Sequence, residues 1–193
     1  MQPVFIVVMG VSGTGKSTLG AALAAALHMP YVDGDDLHPR ANVEKMGAGQ
    51  PLTDADREPW LRTIRNTAER VTDEERSQRE GDAKRAPGVP GVVIACSALK
   101  RAYRDILRGV NAEGAPVLPT YFVFIDGSRE VLMDRMLKRS GHFMKASMLD
   151  SQFATLEDPR DEEGVVLVSV EDTTAAQIDR AVRELRAAFD RGL

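Results

Sequence analysis

Six consecutive apolar residues, Val4–Met9, run straight into Gly10-Val11-Ser12-Gly13-Thr14-Gly15-Lys16-Ser17. The second stretch matches the pattern G-x-x-x-x-G-K-[ST]. An uninterrupted apolar run bounded by glycine suits a strand buried on both faces. Glycines let the next turn curl so that its backbone N–H groups point at phosphate oxygens. The helix expected beyond it, with Leu19, Leu23 and Leu27 at four-residue spacing, aims its positive end at the same place. Lys16 can reach the β- and γ-phosphates, and the Ser17 hydroxyl can ligate Mg²⁺. A chain that begins this way is constrained to strand, phosphate loop and helix, and to an α/β fold built around them.

The rest of the pattern agrees. Short apolar runs at Tyr31–Asp33, Val92–Cys96, Tyr121–Ile125 and Val165–Val170 read as four more strands. Helical spacing recurs between them, as in Trp60, Ile64, Ala68 and Val71, or Ile178, Val182, Leu185 and Phe189. Every connection is too long for a hairpin. The expectation is one α/β domain over 1–193, a five-stranded parallel sheet with helices on both faces. Ser77–Gly91 holds Gly81, Pro87, Gly88, Pro90 and Gly91 among charges and reads as a surface loop. In such sheets ligands sit beyond the carboxyl ends of the strands, so the residues just after each strand carry the functional signal.

Composition narrows the partners. The 193 residues carry a net charge of −4, which argues against nucleic acid or an anionic membrane as the main partner. No run is long and apolar enough to span a bilayer, and Met1-Gln2-Pro3 has no basic signal-peptide region. The single cysteine, Cys96, ends an apolar strand and reads as a core thiol. A cytoplasmic protein is expected.

Two groups of residues complete the picture. Asp33-Gly34-Asp35-Asp36 follows the second strand, where an acid can hold Mg²⁺ or position an attacking hydroxyl. Cations then gather at His38, Arg40, Lys45 and Arg57, joined by Lys100, Arg101 and Arg104. They point to an anionic acceptor, with phosphate, carboxylate and sulfate equally open. A further basic group, Arg135, Lys138, Arg139, His142 and Lys145, surrounds Gly141 and reads as a mobile lid near 135–150. No Asn-Lys-x-Asp guanine-reading segment is present, which argues against a GTPase switch. A phosphotransferase and a non-catalytic nucleotide sensor are the two classes left by the residues alone.

The chain also resembles the gluconokinase family. The resemblance rests on Asp33-Gly34-Asp35-Asp36-Leu37-His38-Pro39, Asn42–Met46, Pro51–Leu61, Cys96–Arg104, Gly141-His142-Phe143 and Met148–Phe153, in family order. It implies the three-layer P-loop kinase fold with a mobile lid. It implies transfer of phosphate from ATP to the C6 hydroxyl of D-gluconate, feeding the pentose phosphate route, with Mg²⁺ and a homodimer. By that resemblance Gly10, Val11, Ser12, Gly13, Thr14, Gly15, Lys16, Ser17 and Thr18 bind ATP, with Arg135 and Arg139 from the lid. Ser17 and Asp33 stand on the metal side. Lys16, Asp35, Arg135 and Arg139 are the catalytic candidates, Asp35 for the C6 hydroxyl proton. Asp35, His38, Arg40, Lys45, Arg57, Lys100, Arg104 and His142 are the candidates for gluconate. The sequence departs from the family pattern at Ser77–Gly91, which is longer than usual, and at Met144, where a second aromatic often follows Phe143.

Overall fold

A computed structural model describes residues 2–81, 88–109, 118–138 and 143–192, with backbone alone at 81 and 143–147. Five strands form one parallel sheet: β1 (Val4–Met9), β2 (Tyr31–Asp33), β3 (Gly91–Ala95), β4 (Thr120–Asp126) and β5 (Val165–Ser169). Their order in space is β2-β3-β1-β4-β5. The apolar runs mark the three inner strands because both faces of those strands are covered: Phe5–Met9, Val92–Ile94 and Phe122–Val123 have no exposed surface. The edge strand β5 alternates half-buried and buried residues instead. Each fully buried Val, Ile or Phe contributes about 1.5–3 kcal/mol relative to exposure, so this sheet dominates the core.

Helices connect the strands. They are α1 (Lys16–Leu27), α2 (Arg40–Gly47), α3 (Asp54–Gly81), α4 (Arg101–Arg108), α5 (Arg129–Lys138), α6 (Phe143–Thr155) and α7 (Thr174–Arg191), with a 3-10 turn at Gly34–Leu37. The expected five-stranded parallel sheet with connecting helices is therefore the observed one. Helix α2 was not expected from the apolar pattern. A second difference lies in α3, whose 28 residues run to Gly81. Residues 77–81, read from sequence as the start of a loop, are helical. Their helix rests on charge rather than apolar spacing: Arg79 pairs with Glu75 one turn back, and its Nη2 donates to the His28 carbonyl at the end of α1, 2.7 Å away. Positions 82–87 lie outside the described residues.

The register brings the functional ends of the strands level. Val8 pairs with Ala95, and Ala95 with Asp33. Asp33 thus stands two strands from the start of the phosphate loop, about 10 Å across the sheet. Among the described residues, no helix is long and apolar enough to cross a membrane.

Candidate active site

The loop between β1 and α1 takes the backbone path its glycines permit. Gly15 caps α1 with φ 93°, a left-handed conformation that costs a side-chain-bearing residue energy. The Thr14 hydroxyl donates to the Val11 carbonyl at 2.9 Å and braces the curl from inside. Lys16 lies across it, its Nζ donating to the same carbonyl at 3.1 Å. Burial pushes the Lys16 ammonium below its ordinary pKa, opposed by the negative charges of Asp35 and Asp33. A cation desolvated at the centre of an anion-binding loop is poised to gain from a phosphate that neutralises it.

The acids arrive from β2. Gly34 packs so tightly on β3 that a Cβ would fall 2.2 Å from the Ala95 carbonyl oxygen, so only glycine allows the chain to turn there. The turn is held from both sides. Asp33 Oδ1 accepts from the Asp35 backbone N–H at 3.1 Å, and the Trp60 indole N–H donates to the Gly34 carbonyl at 2.7 Å. Asp35 is then left with a largely exposed side chain, 3.9 Å from His38 Nε2. The Tyr31 hydroxyl donates to Asp33 Oδ2 at 3.2 Å and also feels the Ser17 hydroxyl. Burial and the Asp33 carboxylate push its pKa up to about 12, against the Ser17 hydroxyl, which lowers it. Ser17 and Asp33, the two metal-side candidates, therefore meet around one phenol. Their donors are hard oxygens, the type Mg²⁺ takes alongside phosphates and water.

The candidate acceptor cations divide into two sets. His38, Lys45, Arg57 and Lys100 gather around the start of α3, with His38 beside Asp35 and the two lysines on the Asp56 and Asp54 carboxylates. His38 lies on Trp60 with ring centroids 3.9 Å apart. Thr53 and Asp56 form a capping box for α3: the Thr53 N–H and hydroxyl both donate to Asp56 Oδ2, and the Asp56 N–H donates to Thr53 Oγ1. The same Oδ2 takes the Lys45 ammonium at 2.5 Å, so the helix cap also aims a cation. Hydrogen bonds from Lys45 and Thr53 hold the Asp56 carboxyl well below the usual range. Lys100 donates to Asp54 at 2.8 Å, and Tyr103 donates to the same carboxylate. Arg57 Nη1 donates to the Leu52 carbonyl and lies 3.5 Å from the Tyr103 hydroxyl.

Two of the expected acceptor residues are placed elsewhere. Arg104 is completely buried and has no donor to spare. Its Nη1 donates to the carbonyls of Ala98 and Leu99, its Nη2 to that of Glu157, and its Nε and Nη2 to Glu162. It is a structural clamp, because every N–H of a buried guanidinium must find an acceptor and here protein groups supply them. The Arg40 side chain is 92% exposed and pairs with Glu44 one turn on, away from the cluster. Arg135, on α5, donates to the Val170 carbonyl at 2.5 Å. Its neighbour Met136 packs against the phosphate loop, 3.2 Å from where a Gly13 Cβ would lie. Arg139 and His142 lie outside the described residues. Cys96 is buried, and burial pushes its thiol up to about 12, which fits an inert core residue.

Sequence reasoning assigned no role to three contributors. Trp60 and Tyr103 stood out only for apolar spacing and within the blocks of family resemblance, yet they support His38 and bridge Arg57 to Asp54. Gln152 lies 140 residues from the phosphate loop in sequence, and its Oε1 accepts from the Ser12 N–H at 2.6 Å.

A family described as an AAA domain matches residues 6–157. A gluconokinase of Gluconobacter oxydans (strain 621H) is 47% identical over 187 residues, 97% of this chain and 94% of that protein. The thermoresistant gluconokinase of Escherichia coli (strain K12) is 43% identical over 162 residues, 84% of this chain and 81% of that one. The crystal structure of a gluconokinase from Sinorhizobium meliloti 1021 superposes with a TM-score of 0.77 at 46% identity, covering 97% of this chain and 95% of that chain. Likeness of that degree, along nearly the whole length and in the path of the backbone as well, means that the chain belongs to the gluconokinase family.

Proposed function

We propose that this protein transfers the γ-phosphoryl group of ATP to the C6 hydroxyl of D-gluconate, giving 6-phospho-D-gluconate and ADP. The observation that carries the reading is the meeting of a phosphate cradle with an acid: Asp35 acts on Lys16 of the loop and lies 3.9 Å from His38, and Arg57, Lys45 and Lys100 stand around the start of α3. Family membership names the acceptor.

Phosphoryl transfer needs positioning and charge neutralisation more than covalent chemistry. The loop N–H groups and Lys16 hold the phosphates. Arg57, Lys45 and Lys100 face the gluconate carboxylate and hydroxyls, the last two leaving Asp56 and Asp54 to do so. The O6 oxygen forms the new bond to phosphorus, the bond from phosphorus to the ADP oxygen breaks, and the O6 proton passes to Asp35. Ser17 and Asp33 would hold Mg²⁺, which would neutralise phosphate charge there. Arg135 and Arg139 neutralise charge on the triphosphate. The protein acts as a cytoplasmic homodimer.

The test is ADP release from Mg-ATP with D-gluconate, shikimate, nucleoside monophosphates or no acceptor. Turnover is expected with D-gluconate alone. Fast turnover with another acceptor would discard the gluconate assignment and keep the phosphotransferase.

A further inference from the structure

Three contacts tie α6 and the turn after it to the rest of the site. Near its middle, Asp150 pairs with Arg129 of α5 at 2.6 Å. Two residues on, Gln152 accepts the Ser12 N–H of the phosphate loop. Five residues further, Glu157 brackets Lys100: its N–H donates to the Leu99 carbonyl at 2.9 Å, and its Oε2 accepts from the Arg101 N–H at 2.7 Å. One short stretch of chain thus touches the donor side at Ser12 and, on the acceptor side, the two residues that flank Lys100.

The Gln152 contact is unusual in kind. Backbone N–H groups in a glycine-rich loop are the donors that hold phosphate. Here one of them is committed to a side-chain carbonyl from another element, half-buried and short. The curvature of the loop at Ser12 therefore depends on where α6 stands. We infer that Gln152 is a positioning residue that couples α6 to the phosphate cradle, so that the transfer-competent shape of the cradle depends on where α6 is seated. The inference rests on the reading of this loop as the ATP site. A cradle held in shape by α6 keeps the γ-phosphate for transfer, whereas an uncoupled one lets water reach it.

The experiment uses the full chain and two variants. Gln152→Met keeps length and removes the acceptor; Gln152→Glu keeps an acceptor oxygen of the same reach. Three quantities are measured: gluconate-dependent ADP release, acceptor-free ADP release, and binding of a non-hydrolysable ATP analogue. In Gln152→Met the ratio of acceptor-free to gluconate-dependent release rises about fivefold or more, and the analogue binds about fivefold more weakly, the scale of one lost hydrogen bond. In Gln152→Glu the ratio stays near that of the wild type, although added negative charge raises KM for ATP. Two results would overturn the proposal: a wild-type ratio and analogue affinity in Gln152→Met, or a Gln152→Glu variant as uncoupled as the methionine one. A wild-type enzyme without gluconate-dependent release would instead sink the acceptor assignment, while analogue binding still reads the Ser12 contact.

Discussion

The imidazole of His38 lies nearly flat on the indole of Trp60, with centroids 3.9 Å apart and planes 14° from parallel. That stacking buries His38, and burial lowers its pKa from the ordinary 6.5, against the pull of Asp35 and with the help of Arg57. The folded protein therefore prefers neutral His38, whereas the unfolded chain takes up a proton below about pH 6.5. Stability tied to this group is complete above that pH and is lost as pH falls through the folded pKa. The Tm of the wild type is expected to fall more steeply between pH 7 and pH 5 than that of His38→Gln. Parallel Tm profiles for the two proteins would refute a buried neutral imidazole.

Lys16 and Asp35 sit close enough to act on each other electrostatically, but their removal has opposite signatures. Lys16→Met deletes a cation already destabilised by burial, so Tm should hold or rise. Without its charge at the transferring phosphate, kcat should drop by about 100-fold or more. Asp35→Asn keeps the shape of an exposed side chain and removes a proton acceptor. It should lower kcat far more than it weakens ATP-analogue binding. Equal losses in both would place Asp35 with the metal instead.

Much of this site was legible because its chemistry is written in contiguous residues. The loop Gly10–Ser17 and the turn Asp33–Asp36 each stand at a strand end, and the buried inner strands announce themselves as unbroken apolar runs. Helix α2 was not legible, since its only buried residue is Asn42, whose amide donates to the Asp56 carbonyl at 2.8 Å. The end of α3 was hidden for a similar reason: charge pairs, not an apolar stripe, carry it. Arginines were the hardest class. Arg65 satisfies the carbonyls of Leu107 and Arg108 at the end of α4, and nothing within 40 residues of it in sequence hints at that. A guanidinium waiting for a ligand and one already saturated by distant carbonyls look alike until the chain is folded.

Arg104 turns that distinction into a measurement. Burial alone would raise the Glu162 carboxyl, but the guanidinium groups of Arg104 and Arg108 hold it below its ordinary pKa. The pair is thus charged inside the protein, and removing one member leaves the other short of partners. Breaking such a buried pair costs about 3 kcal/mol or more. For a chain of this size that lowers Tm by roughly 10 °C. Arg104→Met should show that loss, and at a temperature where it stays folded its KM for D-gluconate should lie within about twofold of the wild type, because the residue touches the Ala98–Leu99 turn and not the acceptor. A Tm near that of the wild type together with a KM raised tenfold or more would return Arg104 to the acceptor pocket.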